Sequence, residues 1–95
     1  MIDAIYRCLA DSRRRYVLSY LRDTGDGIAS VGDLADHVVE QETHSPAPSR
    51  DSVLISLYHT HLPMLAGEGL IAFDERTETV RYRHHPALEQ ILGEE

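Results

Sequence analysis

Apolar residues recur at three- and four-residue spacing along most of this chain and alternate with polar ones in a single late stretch. Ile2, Ile5 and Leu9 give the first helical stripe, over about residues 2–9. Asp11 or Ser12 can cap a second helix from about Arg13 to Arg22, which buries Val17, Leu18 and Leu21 with Arg14 one turn earlier on the same side. Residues 23–27, DTGDG, form a turn, and Ile28 with Ala29 leaves room for a very short strand. Ser30 and Asp33 form a capping-box pattern before a helix over residues 31–42 that buries Val31, Leu34, Ala35, Val38 and Val39. The stretch THSPAPS, residues 43–49, has two prolines and no periodicity, so it is a loop.

The rest of the chain is arranged around residues 49–73. Ser49 is the expected N-cap of a central helix whose inward face is Val53, Leu54, Leu57, Tyr58, His61, Leu62 and Leu65. Its other face carries Ser52, Ile55, Ser56, His59 and Thr60, mostly short and polar. Pro63 cannot donate to the carbonyl of His59 and should bend the axis. Gly67 and Gly69 then allow a left-handed helix end, and Leu70, Ile71 and Phe73 begin a strand. Ile71 and Phe73 match Val80 and Tyr82 by alternation, which predicts a hairpin with Arg81 and Arg83 on its other face and Arg76 near its tip. Pro86 opens a last helix over residues 86–92, with Ala87, Leu88, Ile91 and Leu92 as its stripe. The expectation is one domain over 1–95, mainly α with a small β-wing, without internal repeats, in which a recognition helix feeds the wing.

Ninety-five residues allow one modest core. No apolar run reaches the roughly 18 to 20 residues that span a bilayer, and the pattern of a signal peptide is missing, so a soluble cytoplasmic protein without membrane association is expected. Cys8 is the single cysteine, which excludes an internal disulfide and a cysteine-rich zinc site. Charge adds more: sixteen acids face nine basic residues, all arginine, for a net charge of −7. An acidic excess without lysine resembles the proteins of salt-loving archaea. At about 1 M salt the Debye length falls to about 3 Å and self-repulsion is largely switched off. The same charge opposes phosphate binding, so local arginine clusters must carry any contact with nucleic acid.

LADSRRRYVLSYL, residues 9–21, resembles the opening helix of ArsR-type and related winged helix-turn-helix regulators. ISLYHTHLPMLAGEGLIAFD, residues 55–74, resembles their recognition helix and the start of their wing. The pattern Leu-Tyr-x-Thr-His-Leu-Pro, here Leu57 to Pro63, is similar to that of small haloarchaeal winged-helix proteins, and the likeness covers about Leu9 to Tyr82. The chain departs from those proteins at Met64, where they often carry a basic residue. The resemblance implies a winged helix-turn-helix transcription regulator that binds double-stranded DNA.

On that reading Ser56, His59 and Thr60 face base edges, with Arg50 and Ser52 near the backbone. Arg76, Arg81 and Arg83 of the wing reach phosphates or a minor groove, or else pair with Asp74, Glu75 and Glu78. Arg13 and Arg15 flank the backbone, whereas Arg14 packs its stem inward. The terminal helices offer Ile2, Ile5, Leu88, Ile91 and Leu92 to a homodimer, or use them to complete the monomer's core. His59 and His61 point about 200° apart on a helix and cannot share an ion. His84 and His85 with His37, His44 or Cys8 could assemble a site, but no spacing requires it, and neither metal nor cofactor is expected. His61 reads as a semi-buried, hydrogen-bonded imidazole and Cys8 as packing. No catalytic motif is present, so an enzyme is not expected. The alternative function is a protein-interaction module within a larger transcription or replication assembly.

Overall fold

A computed structural model describes residues 2–43 and 46–93, with Ile2 described by its backbone alone. The order is α1 (Ile2–Leu9), α2 (Ser12–Asp23), β1 (Ile28–Ser30), α3 (Val31–Gln41), α4 (Arg50–Ser56), a π-helical turn (Leu57–His61), α5 (Leu62–Gly67), β2 (Ile71–Asp74), β3 (Thr79–Tyr82) and α6 (Pro86–Leu92). The fold is therefore mainly helical with one small antiparallel sheet. No helix is long and apolar enough to cross a membrane among the described residues.

Helix starts follow local capping chemistry. The Asp11 carboxylate accepts from the amide of Arg13 at 2.8 Å, Ser30 Oγ from that of Asp33 at 3.0 Å, and Ser49 Oγ from that of Ser52 at 3.0 Å. Each bond satisfies a first-turn amide that has no partner within its helix. The exit from α5 is equally specific. Gly69 takes φ +77°, its amide donates to the Ala66 carbonyl, and the amide of Leu70 donates to that of Leu65. This is a Schellman ending, and the buried pair Leu65 and Leu70 supplies its apolar contact.

Pro63 is accommodated by the π-helical turn just before it. There the amide of Leu62 donates to the carbonyl of Leu57, five residues back. A regular helix would need a donor for the His59 carbonyl at position 63 and would press the proline ring against that carbonyl. The wider turn also preserves the stripe. Val53, Leu57, His61 and Leu65 are spaced by four, which in an α-helix drifts by about 40° per step and about 120° overall. The residue inserted into the turn takes up part of that rotation, and all four side chains are buried.

The sheet order is β1-β3-β2. Ile71 faces Tyr82 and Phe73 faces Val80, the register expected from alternation. β1 joins the far edge of β3, with Ala29 opposite Val80 and Ile28 opposite Arg81. In the hairpin loop, Asp74 Oδ1 accepts from the amides of Arg76 and Thr77, and Glu78 takes φ 58° to close the turn. One face of the sheet meets the helices through Ala29, Ile71, Val80 and Tyr82, which join Ile5, Cys8, Leu18, Leu34, Leu57, Leu62 and Leu88 in one core. Tyr58 packs on Phe73 at a centroid distance of 5.9 Å, fastening the π turn to β2.

The core has a polar centre. Arg14 is buried and donates to the carbonyls of Cys8 and Arg7, while its Nη1 lies 3.1 Å from Nδ1 of buried His61. A guanidinium only donates, so Nδ1 accepts, the ring proton is on Nε2, and the imidazole is neutral. Burial is the largest cause holding the His61 pKa below its ordinary value. Arg14 and Arg13 act in the same direction against Asp11 and Glu42. The folded protein therefore resists a proton that the unfolded chain accepts near pH 6.5, and this contribution to stability is complete above that pH and lost as pH falls below it. Urea unfolding should show stability rising with pH across that window. His61→Gln, whose amide oxygen can still accept from Arg14, should remove the slope.

Candidate nucleic-acid interface

The outward side of α4 and the π turn is open to solvent. Ser52, Ile55, His59 and Thr60 are exposed on it, opposite the buried Val53, Leu57, His61 and Leu65. Ser52 Oγ donates to the Ser49 carbonyl at 3.1 Å, which uses its one proton and leaves the oxygen able to accept. His59 and Thr60 have exposed side chains within the π-helical turn. The inward and outward faces thus divide as the sequence periodicity predicts, with one exception.

That exception is Ser56, half-buried and turned toward α2. Its Oγ donates to the Val53 carbonyl and accepts from Arg13 Nη1 at 2.9 Å. Arg13 in turn donates from Nε to Glu42 Oε2 at 2.6 Å and from Nη2 to Glu42 Oε1 at 2.9 Å. The Glu42 hydrogen bond is the largest cause raising the pKa of Arg13. Arg13 and Ser56, expected at phosphate and base, are instead parts of a clasp joining the start of α2, the end of α3 and the middle of the central helix. A bidentate guanidinium–carboxylate pair with one partner buried outcompetes an exposed role for either residue.

The remaining arginines differ in how engaged they are. Arg50, also expected near the backbone, donates to Asp36 Oδ1 at 2.6 Å and approaches the Gly32 carbonyl, so its charge is neutralised on the surface. Arg15 is exposed and donates to the carbonyl of Leu9 at 2.6 Å, without an acidic partner within salt-bridge distance among the described residues. Arg76, Arg81 and Arg83 form no salt bridge among the described residues and are exposed. The alternative, pairing with Asp74, Glu75 or Glu78, is not formed among the described residues, and Asp74 holds the loop amides of Arg76 and Thr77. Arg81 and Arg83 share the solvent face of β3 and its extension, and Arg76 stands in the loop.

The residues expected at a dimer interface separate by burial. Ile5 and Leu88 are buried in the chain's own core, because α1 packs on both α2 and α6. They complete the monomer rather than face a partner. Ile91 and Leu92 are half-buried against the same core, and the side chain of Ile2 lies outside the described residues. His44 also lies outside them. No three His, Cys, Asp or Glu side chains gather closely enough to hold a metal ion among the described residues. Cys8 is buried, and burial pushes its thiol pKa up.

Sequence periodicity could not find the Arg13–Glu42 clasp, since its partners are 29 residues apart and both look like surface charges. A hint lies in the position of Glu42, which follows an apolar stripe and caps α3.

A family model described as a domain of unknown function, DUF7344, matches residues 6–81. No curated protein and no solved structure matches the chain.

Removing the charge at one end of the clasp should expose its contribution. Glu42→Gln is expected to lower unfolding free energy by about 1.5–3 kcal/mol, the range for hydrogen bonds to charged groups. Ser56→Ala should cost about 1 kcal/mol. Denaturant midpoints at fixed salt measure both, and a Glu42→Gln midpoint equal to wild type would show that the clasp is not formed.

Proposed function

We propose that this chain, which belongs to the DUF7344 family, is a winged helix-turn-helix protein that binds double-stranded DNA and regulates transcription in the cytoplasm of a salt-adapted archaeon. In this reading α3 and the central helix are the helix-turn-helix pair, β2 and β3 are the wing, and β1 anchors the wing to the body. The observation that carries it is the uncovered side of the central helix, with short polar groups at Ser52, His59 and Thr60 beside a hairpin whose arginines form no salt bridge among the described residues.

Charge sets how such binding must work. With Arg13 and Arg50 held by acids, the candidates for phosphate contact are Arg15, Arg76, Arg81 and Arg83. Few neutralised phosphates mean a shallow salt dependence and weak non-specific affinity, which suits concentrated salt. Base contacts must then provide most of the discrimination. A homodimer would double the covered DNA, with the half-buried Ile91 and Leu92 of α6 as its apolar contribution.

The second reading, a protein-interaction module, is favoured by the acidic rim of Asp33, Asp36 and Asp51 around the start of the central helix. The two separate in one experiment: selection from a random double-stranded library in molar KCl. Enrichment of a motif supports DNA recognition. No enrichment, with a protein partner recovered in stoichiometric complex, supports the module. Within a selected site, His59→Ala and Thr60→Ala are expected to change base preference by about 1–3 kcal/mol at one position. Arg81→Ala should weaken every sequence alike and reduce the salt slope by about 1. Equal effects of all three variants on every sequence would remove base reading from the account.

A further inference from the structure

The Arg14–His61 contact ties the π-helical turn to the rest of the core, and it holds in one protonation state alone. One guanidinium joins three elements: from α2 its Nε donates to the Cys8 carbonyl at 2.8 Å and its Nη2 to the Arg7 carbonyl at 3.3 Å, both on α1, while Nη1 meets His61 Nδ1 of the π turn at 3.1 Å. A guanidinium has donors and no acceptor, so the last contact is a hydrogen bond while Nδ1 carries no proton. An imidazolium in its place sets N–H against N–H and puts two cations side by side in a buried site.

The surroundings do not compensate a second charge. The charged groups that face the ring are Asp11 at the cap of α2, Arg14 and Arg13 within α2, and Glu42 at the end of α3. Asp11 already accepts from the Arg13 amide, and Glu42 holds the Arg13 guanidinium at 2.6 and 2.9 Å. From α1 come the carbonyls that Arg14 occupies and the buried Cys8 thiol, on which Arg7 and Glu68 act. The turn is also short of backbone bonds. Leu62 donates to Leu57, five residues back, and Pro63 beside it has no amide to donate. Segments held by few backbone bonds are those that open locally while the remainder stays folded.

We propose that the Arg14–His61 contact is a proton-operated latch on residues 57–62: neutral His61 holds the turn against α2, and protonation of its ring releases the turn while the helices and sheet around it stay folded. Carboxylates titrate about two pH units below histidine, so the Arg13–Glu42 and Arg50–Asp36 pairs survive where the latch opens. His59 and Thr60 lie on the released turn, so the latch sets the shape of the face proposed above to meet DNA. It stands on the packing of the chain itself, and its test needs no DNA.

Amide hydrogen exchange on the full chain in molar KCl, with protection corrected for the intrinsic pH dependence of exchange, provides that test. An opening that frees a ring of ordinary pKa, about 6.5, becomes about thirtyfold more frequent between about pH 7.5 and about pH 5. The amide of Leu62 is expected to lose protection by about that factor, with little response to urea. Amides of the core helices at Leu21 and Val38 should remain better protected and respond steeply to urea, as sites that need global unfolding do. His61→Gln, whose amide oxygen accepts from Arg14 at every pH, should show no such loss. Nitrogen spectra of the wild-type His61 ring, which need no variant, should show its proton on Nε2 in the neutral range. Leu62 exchanging at the same rate and urea slope as Leu21 and Val38, protection of Leu62 independent of pH, a loss retained in His61→Gln, or a ring with its proton on Nδ1 would each overturn the latch.

Discussion

The proline at position 63 is the constraint on which the arrangement turns. It sits inside a helix that must bury Val53, Leu57, His61 and Leu65 on one side, and that spacing drifts off any single side of a regular helix. The π-helical turn answers both problems at once, dispensing with the donor that proline lacks and holding the stripe inward. It also decides what is left outside. His59 and Thr60 are exposed at the widest part of the helix, where the backbone is least regular, and Ser52 and Ile55 continue the same side toward the N-terminus.

Three arginines from one run show how context divides identical residues. Arg14 becomes the polar centre of the core, donating to two carbonyls of α1 and to His61. Arg13 closes a clasp with Glu42 and Ser56, and Arg15 turns outward to the end of α1. A hydrogen-bonded buried cation requires its partners to be placed accurately, and those partners come from α1 and from the π turn. The RRR run therefore works chiefly as a connector between elements. Tyr16 and Tyr20 of α2 pack about the His37 ring of α3, completing the junction of those two helices.

Much of this was legible from the sequence. Local chemistry placed caps at Ser30 and Ser49, narrowed the cap of α2 to Asp11 or Ser12 and the left-handed position to Gly67 or Gly69, of which the structure uses Asp11 and Gly69, and set the register of Ile71 and Phe73 with Tyr82 and Val80, since each depends on residues close in the chain. The inward stripe of the central helix was legible too, and so were the packed roles of Arg14, His61 and Cys8. Pairings between distant elements were not. The Arg13–Glu42 and Arg50–Asp36 ion pairs, and the enclosure of Ile5 and Leu88 by the packing of α1 on α6, depend on tertiary placement that periodicity does not encode. Pro63 announced an irregularity but not its form, because a kink and a π turn satisfy the same missing donor.

We propose above that the solvent side of the central helix, together with the hairpin, meets a DNA duplex. Hydrogen–deuterium exchange in molar KCl, with and without the selected duplex, tests it most directly. New protection is expected at residues 50–60 and in the hairpin around 75–83, with α1 and α6 altered only if the protein also dimerises on DNA. Protection absent from 50–60 while a bound duplex slows exchange elsewhere would contradict it.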